Sequence, residues 1–371
     1  LEFRQQLDQQ FGGIGIEVDT RAKPLTVAIP MIGTPAYEAG ILPGDRILAI
    51  DGESTENMDF AAAKDRMRGE AGKPLRLTVL HVGQETPVEL TMVRAVINLP
   101  SVLGDRRDAQ GKWQFTLEDH PTIGYLRVTS FGEQTVGELQ TALQSLAQQP
   151  IEALVIDLRH NFGGMLRAAV ATCDLFVKEG VIVSTRGRDK QRNLDVFHAT
   201  GKAPYTRWPI AVLVDHMTAS AAEIVAACLQ DRGRAVVVGE RTWGKGTVQN
   251  VIPLERGNSA LKLTVATYWR PSEKNIHRTR DAKEDDTWGV LPDAGLAVKL
   301  SEDEVRRFAE SRRQRDGRGQ GPGVGGQGDR APPGAAGQAD ASSSSLFDPC
   351  LAKAVEYLTG QVAKLVSTPA T

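Results

Sequence analysis

Residues 153–165 read Ala-Leu-Val-Ile-Asp-Leu-Arg-His-Asn-Phe-Gly-Gly-Met, and this stretch decides the fold class of the chain. Its apolar beginning predicts a buried strand, and its two glycines predict a tight turn before helical spacing from Met165 to Val177. The same rhythm recurs, with predicted strands at 123–128, 210–214 and 235–239 and predicted helices at 137–148 and 221–229. Strands that alternate with helices indicate an α/β core with crossover connections, which we assign to residues 96–310.

Four other segments surround this core in the sequence. Residues 12–95 contain short alternating runs between glycines and prolines, which predict a β-rich domain with one helix beginning after Asp59. We expect a C-terminal helix within 346–371 and the remnant of an N-terminal helical region at 1–11. Residues 311–345 are rich in glycine and serine, and we expect a flexible, solvated linker there. Four arginines fall at or near its start, Arg312, Arg313, Arg315 and Arg318.

The composition excludes several classes of function. The 371 residues carry a net charge of −2, which argues against a protein that binds nucleic acid by neutralising phosphates. No stretch approaches the roughly 18 consecutive apolar residues of a membrane span. The three cysteines and six histidines lack the spacing of a zinc site, so we expect no metal and no cofactor. Because the chain begins at Leu1 within an amphipathic pattern, we expect a further N-terminal segment before it.

A glycine-rich turn precedes the first predicted strand. Residues 11–16, Phe-Gly-Gly-Ile-Gly-Ile, leave backbone N–H groups unpaired, and such a nest suits the carboxylate of a peptide C-terminus. With the run Ala-Gly-Ile-Leu-Pro-Gly-Asp-Arg-Ile-Leu-Ala-Ile-Asp-Gly at 39–52, this segment resembles a PDZ domain. The resemblance implies that an extended peptide adds to the adjacent strand edge. The residues predicted to bind it are Gly12, Gly13, Ile14, Gly15 and Ile16.

Two further motifs carry residues suited to nucleophilic chemistry. Ser220 lies between a predicted strand and a predicted helix, where the field of the helix N-terminus favours negative charge. Taken alone, Ser220 and Glu223 also fit a capping box. Lys245 lies between two glycines after another strand, and its spacing differs from that of a phosphate-binding loop. A lysine in an apolar pocket can lose its proton and act as a base, and a surface lysine in a loop is the alternative.

The order of these motifs after a PDZ-like segment resembles the C-terminal processing peptidases, serine endopeptidases with a serine–lysine dyad. That family implies a mixed βαβ core of the crotonase and Clp-protease type with an inserted PDZ domain. It also implies Ser220 as the nucleophile, Lys245 as the general base and Gln249 as the residue that orients the lysine. The implied oxyanion hole consists of backbone N–H groups, those of Ala221 and of Gly163 or Gly164. The resemblance gives supporting roles to three residues, Glu223, Asp231 and Thr242.

Three alternatives stay open on the sequence. His160 and His216 lie near the motifs and could serve a Ser-His-Asp triad. The chain could also be a catalytically silent PDZ scaffold or a crotonase-like acyl-CoA hydratase, although no matching pair of catalytic glutamates is found. As a peptidase it would act on polypeptides held through their C-termini, in the periplasm or another exported compartment. A homo-oligomer and a regulatory adaptor are compatible with this interpretation, and no nucleic-acid partner is expected.

Overall fold

The computed structural model describes residues 10–19, 23–31, 33–108, 111–189, 193–254, 259–317 and 347–367. The described residues form a small β-rich unit, which ends near Asn98, and a larger α/β unit. Most of the segment expected to be an N-terminal remnant, 1–11, lies outside the described residues. No described helix is both long and apolar enough to cross a lipid bilayer.

The small unit is an antiparallel sheet packed against one longer helix. Its elements are β2 (Ile16–Asp19), β3 (Thr26–Pro30), helix α1 (Pro35–Glu38), β4 (Arg46–Ile50), β5 (Glu53–Ser54), helix α2 (Phe60–Met67), β6 (Pro74–Leu80) and β7 (Val88–Val93). The strands lie in the order β2-β3-β4-β6-β7, and β5 pairs with β4. Helix α2 begins where predicted, because the Asp59 carboxylate accepts a hydrogen bond of 2.7 Å from the Ala62 N–H. Strand β1 (Gln10–Gly13) pairs with β8 (Ala95–Asn98) at the edge of this unit.

The α/β unit is built around a five-stranded sheet. Its strands are β9 (Val102–Leu103), β12 (Ile123–Val128), β13 (Ala153–Asp157), β16 (Ile210–Val214) and β17 (Ala235–Gly239), in the order β17-β16-β13-β12-β9. The four longer strands are parallel and β9 is antiparallel. The sequence predicts all four parallel strands at nearly these bounds, because strands buried on both faces are almost continuously apolar.

Helices cover both faces of this sheet, since successive side chains of a strand point to opposite sides. Leu154 and Ile156 pack on one face with α3 (Thr135–Ala147), α4 (Leu166–Asp174) and α5 (Ala221–Asp231). On the other face, Val155 packs with residues of the last helix, Leu351, Ala354 and Leu358. The carboxyl ends of the parallel strands therefore stay open at one edge of the sheet, where the loops after β13, β16 and β17 meet.

A second, antiparallel sheet carries part of the site and was not expected from the sequence. It contains β14 (Val181–Arg186), β15 (Asn193–His198), β18 (Thr247–Leu254) and β19 (Ser259–Trp269), in the order β15-β14-β19-β18. A short ribbon pairs β10 (Arg106–Arg107) with β11 (Trp113–Gln114). Strand β18 begins two residues after Lys245 and contains Gln249. This sheet therefore supports the predicted lysine loop from its C-terminal side.

The linker expected from residue 311 does not begin there. Helix α6 (Glu302–Gly317) continues through this point, and it buries Arg312 and Arg315. Nε of Arg315 lies 2.9 Å from Oδ1 of Asp105, a carboxylate with no exposed surface. A buried carboxylate without a partner is costly, so these arginines compensate Asp105 instead of entering the solvent. Residues 318–346 lie outside the described residues, and helix α7 (Pro349–Ser367) follows them.

Candidate active site

Ser220 lies at the N-terminus of α5, at the open edge of the parallel sheet. Its backbone angles are φ 58° and ψ −117°, a conformation that residues with a side chain rarely adopt. Such strain persists only where the surrounding structure imposes it, and it is concentrated at functional sites. The loops at the carboxyl ends of parallel strands are also where α/β proteins place their ligands. The structure therefore presents Ser220 as a half-buried hydroxyl on a constrained turn.

One buried carboxylate connects the Ser220 turn to the Lys245 loop. Oε2 of Glu223 accepts hydrogen bonds from the backbone N–H groups of Ser220 and Lys245, each 2.8 Å long. Oε1 accepts one from the Thr242 hydroxyl at 2.6 Å and one from the Gly244 N–H at 2.7 Å. Burial raises the pKa of Glu223, and these hydrogen bonds act in the opposite direction. The capping contact that the sequence allowed is present, and the same side chain also fixes the two loops next to each other.

The side chains of Lys245 and Gln249 are both exposed to solvent. Within the described part of the chain, no hydrogen bond joins the Lys245 ammonium to the Ser220 hydroxyl. Of the two alternatives for Lys245, the structure shows the surface lysine in a loop, because the Lys245 side chain is exposed and the neighbouring Trp243 is 56% exposed. The structure thus brings the lysine backbone to the serine turn and leaves the ammonium in water.

The turn after β13 lies directly against Ser220. A Cβ atom on Gly163 would lie 2.7 Å from Cβ of Ser220 and 2.9 Å from the backbone nitrogen of Ala221, so only glycine fits there. The Gly163 N–H already donates a hydrogen bond of 2.8 Å to Oδ1 of Asn161. The N–H groups of Gly164 and Ala221 donate no hydrogen bond to any residue that the structure describes. The sequence left open whether Gly163 or Gly164 contributes to the oxyanion hole. Of these two glycines, only Gly164 has a backbone N–H without an acceptor among the described residues.

A groove of about 370 Å³ lies between β2 and α2 in the small unit. Gly13, Ile14, Gly15 and Ile16 line one side of it, and α2 lines the other. The Ile14 carbonyl accepts a hydrogen bond from the Ala36 N–H in α1, and the Gly15 carbonyl accepts bonds from the Met31 N–H and the Thr34 hydroxyl. The N–H groups of Ile14 and Gly15 donate none to the described residues. Within that part of the chain β2 pairs only with β3, so its second edge is open. The groove therefore offers unpaired N–H groups at one end and an open strand edge along its length.

Gly12 is the one predicted peptide-binding residue that does not line this groove. It belongs to β1, and its carbonyl accepts a hydrogen bond of 3.1 Å from the Gly69 N–H. A Cβ atom on Gly12 would lie 1.9 Å from the Gly69 carbonyl oxygen. The glycine is thus explained by close backbone packing, and not by a peptide contact.

The amino-acid sequence of the chain matches a known peptidase family and known relatives. Residues 122–295 match the model of peptidase family S41, and residues 26–80 match a PDZ domain model. The chain is 36% identical over 321 residues to the carboxy-terminal-processing protease of Bartonella bacilliformis, covering 85% of this chain and 70% of that protein. The chain belongs to peptidase family S41. Family membership confirms the expected serine-peptidase class and the α/β core combined with a PDZ domain.

Other S41 relatives agree with this family. The carboxyl-terminal-processing protease of Synechocystis is 37% identical over 284 residues, covering 76% of this chain and 61% of that protein. A crystal structure described as an S41 protease from Bacteroides fragilis superposes with a TM-score of 0.50 at 19% identity, covering 82% of this chain and 80% of that one. That likeness concerns the fold alone. The chain spans between 61% and 70% of the length of the two curated relatives.

In this S41 peptidase, Asp231 does not join the site. It lies at the opposite end of α5 from Ser220, about 16 Å along the helix axis at 1.5 Å per residue. Its carboxylate lies 2.5 Å and 2.9 Å from two guanidinium nitrogens of Arg270. Burial opposes ionisation, but the hydrogen bonds and charge of Arg270 lower the pKa of Asp231. Asp231 therefore fixes the end of α5 to the chain after β19, whereas Glu223 bonds to the Ser220 backbone and Thr242 bonds to Glu223.

Asn161 and Asp215 hold the loops of the S41 core at the site, although the sequence motifs indicated no role for either residue. Asn161 is fully buried, and its amide donates a hydrogen bond of 2.8 Å to the Val128 carbonyl while its oxygen holds Gly163. Asp215 accepts hydrogen bonds from the backbone of His160 and of Thr218. Asp215 directly follows the buried strand β16, and Asn161 lies four residues after the end of β13, and this position beyond a parallel strand is the signal that could have identified them.

The two histidines proposed for a triad have other neighbours. Nδ1 of His160 lies 2.8 Å from Oδ2 of Asp215, and Nδ1 of His216 lies 3.7 Å from Oε2 of Glu240. Among the described contacts, neither ring is hydrogen-bonded to Ser220. The hydrogen bond to Asp215 raises the pKa of His160 against the effect of partial burial, with further support from Asp157 and opposition from Arg159.

This shift predicts a pH-dependent contribution of His160 to stability. A histidine whose pKa is raised on folding stabilises the fold below its unfolded value of about 6.5, and the effect is lost as the pH rises through the folded value. We expect His160→Asn, which retains tolerance of the positive φ, to lower the Tm more at pH 5 than at pH 9. His216→Asn is the control, because Nδ1 of His216 lies 3.7 Å from Glu240, compared with 2.8 Å between His160 and Asp215. An equal Tm loss at both pH values for His160→Asn would contradict the assignment.

Proposed function

We propose that the chain is a serine endopeptidase that cleaves polypeptides recognised through their C-termini, with Ser220 and Lys245 as its dyad. The observation that carries this proposal is the Glu223 carboxylate, which holds the backbones of Ser220 and Lys245 at equal distances of 2.8 Å. The unpaired N–H of Ala221 belongs to the Ser220 turn, and that of Gly164 belongs to the neighbouring turn after β13, whose Gly163 packs against Ser220. Nucleophile, base and oxyanion donors thus come from three loops that converge at one sheet edge.

The proposed chemistry follows from these positions. The Ser220 oxygen attacks the peptide carbonyl while Lys245 takes its proton, and the Ala221 and Gly164 N–H groups stabilise the oxyanion. Lys245 then gives the proton to the leaving amine, and water hydrolyses the acyl-enzyme by the reverse sequence. In the proposed complex, bound substrate covers the exposed lysine side chain and excludes water from it. Gln249, on β18, is assigned to orient the lysine once it is covered.

Recognition is assigned to the groove between β2 and α2. An extended peptide adds to the open edge of β2, and its terminal carboxylate accepts hydrogen bonds from the N–H groups of Ile14 and Gly15. The groove is mostly apolar, with Phe60 and Met67 in its lining, so an apolar last residue fits it best. Arg68 also lines the groove and adds positive charge. A location in the periplasm or another exported compartment completes the proposal, on family resemblance.

The test compares one unstructured peptide with an apolar last residue as its free acid and as its C-terminal amide. The amide lacks the negatively charged carboxylate to which the Ile14 and Gly15 N–H groups donate hydrogen bonds. We therefore expect its binding free energy to weaken by about 1–3 kcal/mol and its hydrolysis to slow accordingly. Binding is measured by calorimetry with Ser220→Ala, and hydrolysis by mass spectrometry with the unaltered chain.

Each outcome of this comparison has a defined meaning. Equal binding of acid and amide would contradict carboxylate capture. Tight binding of the acid without any hydrolysis would favour the silent scaffold, with which the exposed Lys245 side chain is also compatible.

A further inference from the structure

Two large aromatic side chains next to the Ser220 turn are exposed to solvent. Phe162 is 61% exposed and Trp243 is 56% exposed, although such side chains are usually mostly buried. Neither has a part in the proposed dyad or in the oxyanion hole. Ligand sites are lined mainly by apolar and aromatic side chains, so exposed aromatic side chains on both loops beside Ser220 are candidates for substrate contact.

The backbone on both sides of Phe162 is fixed against the site. The Asn161 carbonyl accepts a hydrogen bond of 2.9 Å from the Ala219 N–H, one residue before Ser220. The Gly163 carbonyl accepts one of 3.0 Å from the Phe131 N–H, and Gly163 itself contacts Ser220. The Phe162 side chain thus projects from an anchored turn.

Trp243 is anchored in a comparable way on the other side. The backbone N–H of Trp243 donates a hydrogen bond of 2.9 Å to the carbonyl of Thr218, which lies two residues before Ser220. The residues on either side of it, Thr242 and Gly244, both donate hydrogen bonds to Glu223. Aromatic groups held in place by anchored backbones lose little entropy when a ligand covers them.

We propose that Phe162 and Trp243 are specificity-determining residues that contact the substrate side chains flanking the cleaved bond. This inference rests on the proposed peptidase function. Lys245, two residues after Trp243, gives its proton to the leaving amine, so Trp243 contacts the residue after the cleaved bond. Phe162 lies two residues before Gly164, whose N–H is assigned to the carbonyl oxygen, so it contacts the residue before that bond. The preferred substrate class is a polypeptide with apolar side chains on both sides of the cleaved bond.

The experiment uses unstructured peptides that share a free apolar C-terminus and differ only at the two residues around the cleaved bond, which are Leu, Phe, Ala or Asp. We expect Phe162→Ala to lower kcat/KM about tenfold or more for Leu or Phe before the bond, with Asp peptides little changed. Trp243→Ala is expected to have the same effect for the residue after the bond. Val82→Ala is the matched control, because Val82 is 68% exposed in the turn between β6 and β7. It should leave every rate unchanged.

Peptide binding is followed independently of turnover in the Ser220→Ala variant. We expect apolar peptides to shift the tryptophan emission to the blue, and this shift to be absent when Trp243→Phe is added. If the unaltered chain hydrolyses the peptides but both alanine variants keep its preferences, the inference is wrong and the peptidase function stands. If the unaltered chain hydrolyses nothing, the proposed function fails, and a missing emission shift then overturns the inference as well. A change in sedimentation with unchanged preferences would assign the aromatic pair to contact between copies of the chain, which also overturns it.

Discussion

Ser220→Ala and Lys245→Ala are each expected to lower kcat/KM for peptide hydrolysis by about 10⁴-fold or more, because a nucleophile and its base act as one unit. Glu223 holds the backbones of Ser220 and Lys245 next to each other. Loss of the serine hydroxyl or of the lysine amine is therefore expected to stop the same step, the attack on the peptide carbonyl. Steady-state hydrolysis of an unstructured peptide measures the loss. Thermal unfolding should change little, since Lys245 is exposed and exposed substitutions usually alter stability by about 0.5 kcal/mol or less.

The matched control for this prediction is Lys202→Ala, which removes another exposed lysine from the turn region between β15 and β16. It should retain full activity, which would show that general loss of positive charge is not the cause. Near-normal turnover of Lys245→Ala, together with loss of activity in His160→Asn or His216→Asn, would contradict the dyad. A histidine base would then be the correct assignment.

Arg159→Met is expected to lower the free energy of unfolding by about 3–5 kcal/mol, because it leaves buried carboxylates without a counter-charge. Arg159 is 8% exposed, and its Nη2 lies 2.6 Å from Oδ2 of Asp157 and 2.7 Å from Oδ2 of Asp348. Its guanidinium carbon also lies 4.6 Å from the centre of the Phe308 ring. This one side chain thus connects the end of β13 to α6 and to the start of α7. Urea unfolding at neutral pH measures the loss.

Arg167→Met provides the control, since it removes an arginine from an exposed pair with Glu133 at 3.0 Å. Exposed pairs contribute about 0–1 kcal/mol, so this variant should unfold nearly as the unaltered chain does. Equal small losses in both variants would contradict the importance of the buried network. Burial opposes ionisation of Asp157, but Arg159 and the Tyr125 hydroxyl lower its pKa to about 2. The stabilisation is therefore full above about pH 3.9 and is lost as the pH falls through about 2.

The parallel strands illustrate what periodicity alone predicts. The sequence predicts strands at 123–128, 210–214 and 235–239, and the structure has β12, β16 and β17 with the same bounds. The strands of the second sheet were not predicted, because β18 and β19 have exposed apolar residues, such as Ile252 and Leu263, beside polar ones. Their pattern has no single buried face, so neither alternation nor continuous apolarity identifies them.

The α/β core, the PDZ-like unit and the positions of the motif loops could be predicted from local pattern, because periodicity, glycine turns and capping act over a few neighbouring residues. Packing of the whole chain was needed to show that Asn161 occupies the Gly163 N–H and that the Lys245 side chain is exposed. It also decided that Arg315 is buried against Asp105, 210 positions earlier in the chain. Burial, charge compensation and the choice of hydrogen-bond partner depend on residues that are distant in sequence and meet only when the chain packs. Local pattern could therefore name candidate site residues, but it could not give the solvent exposure or the partner of each one.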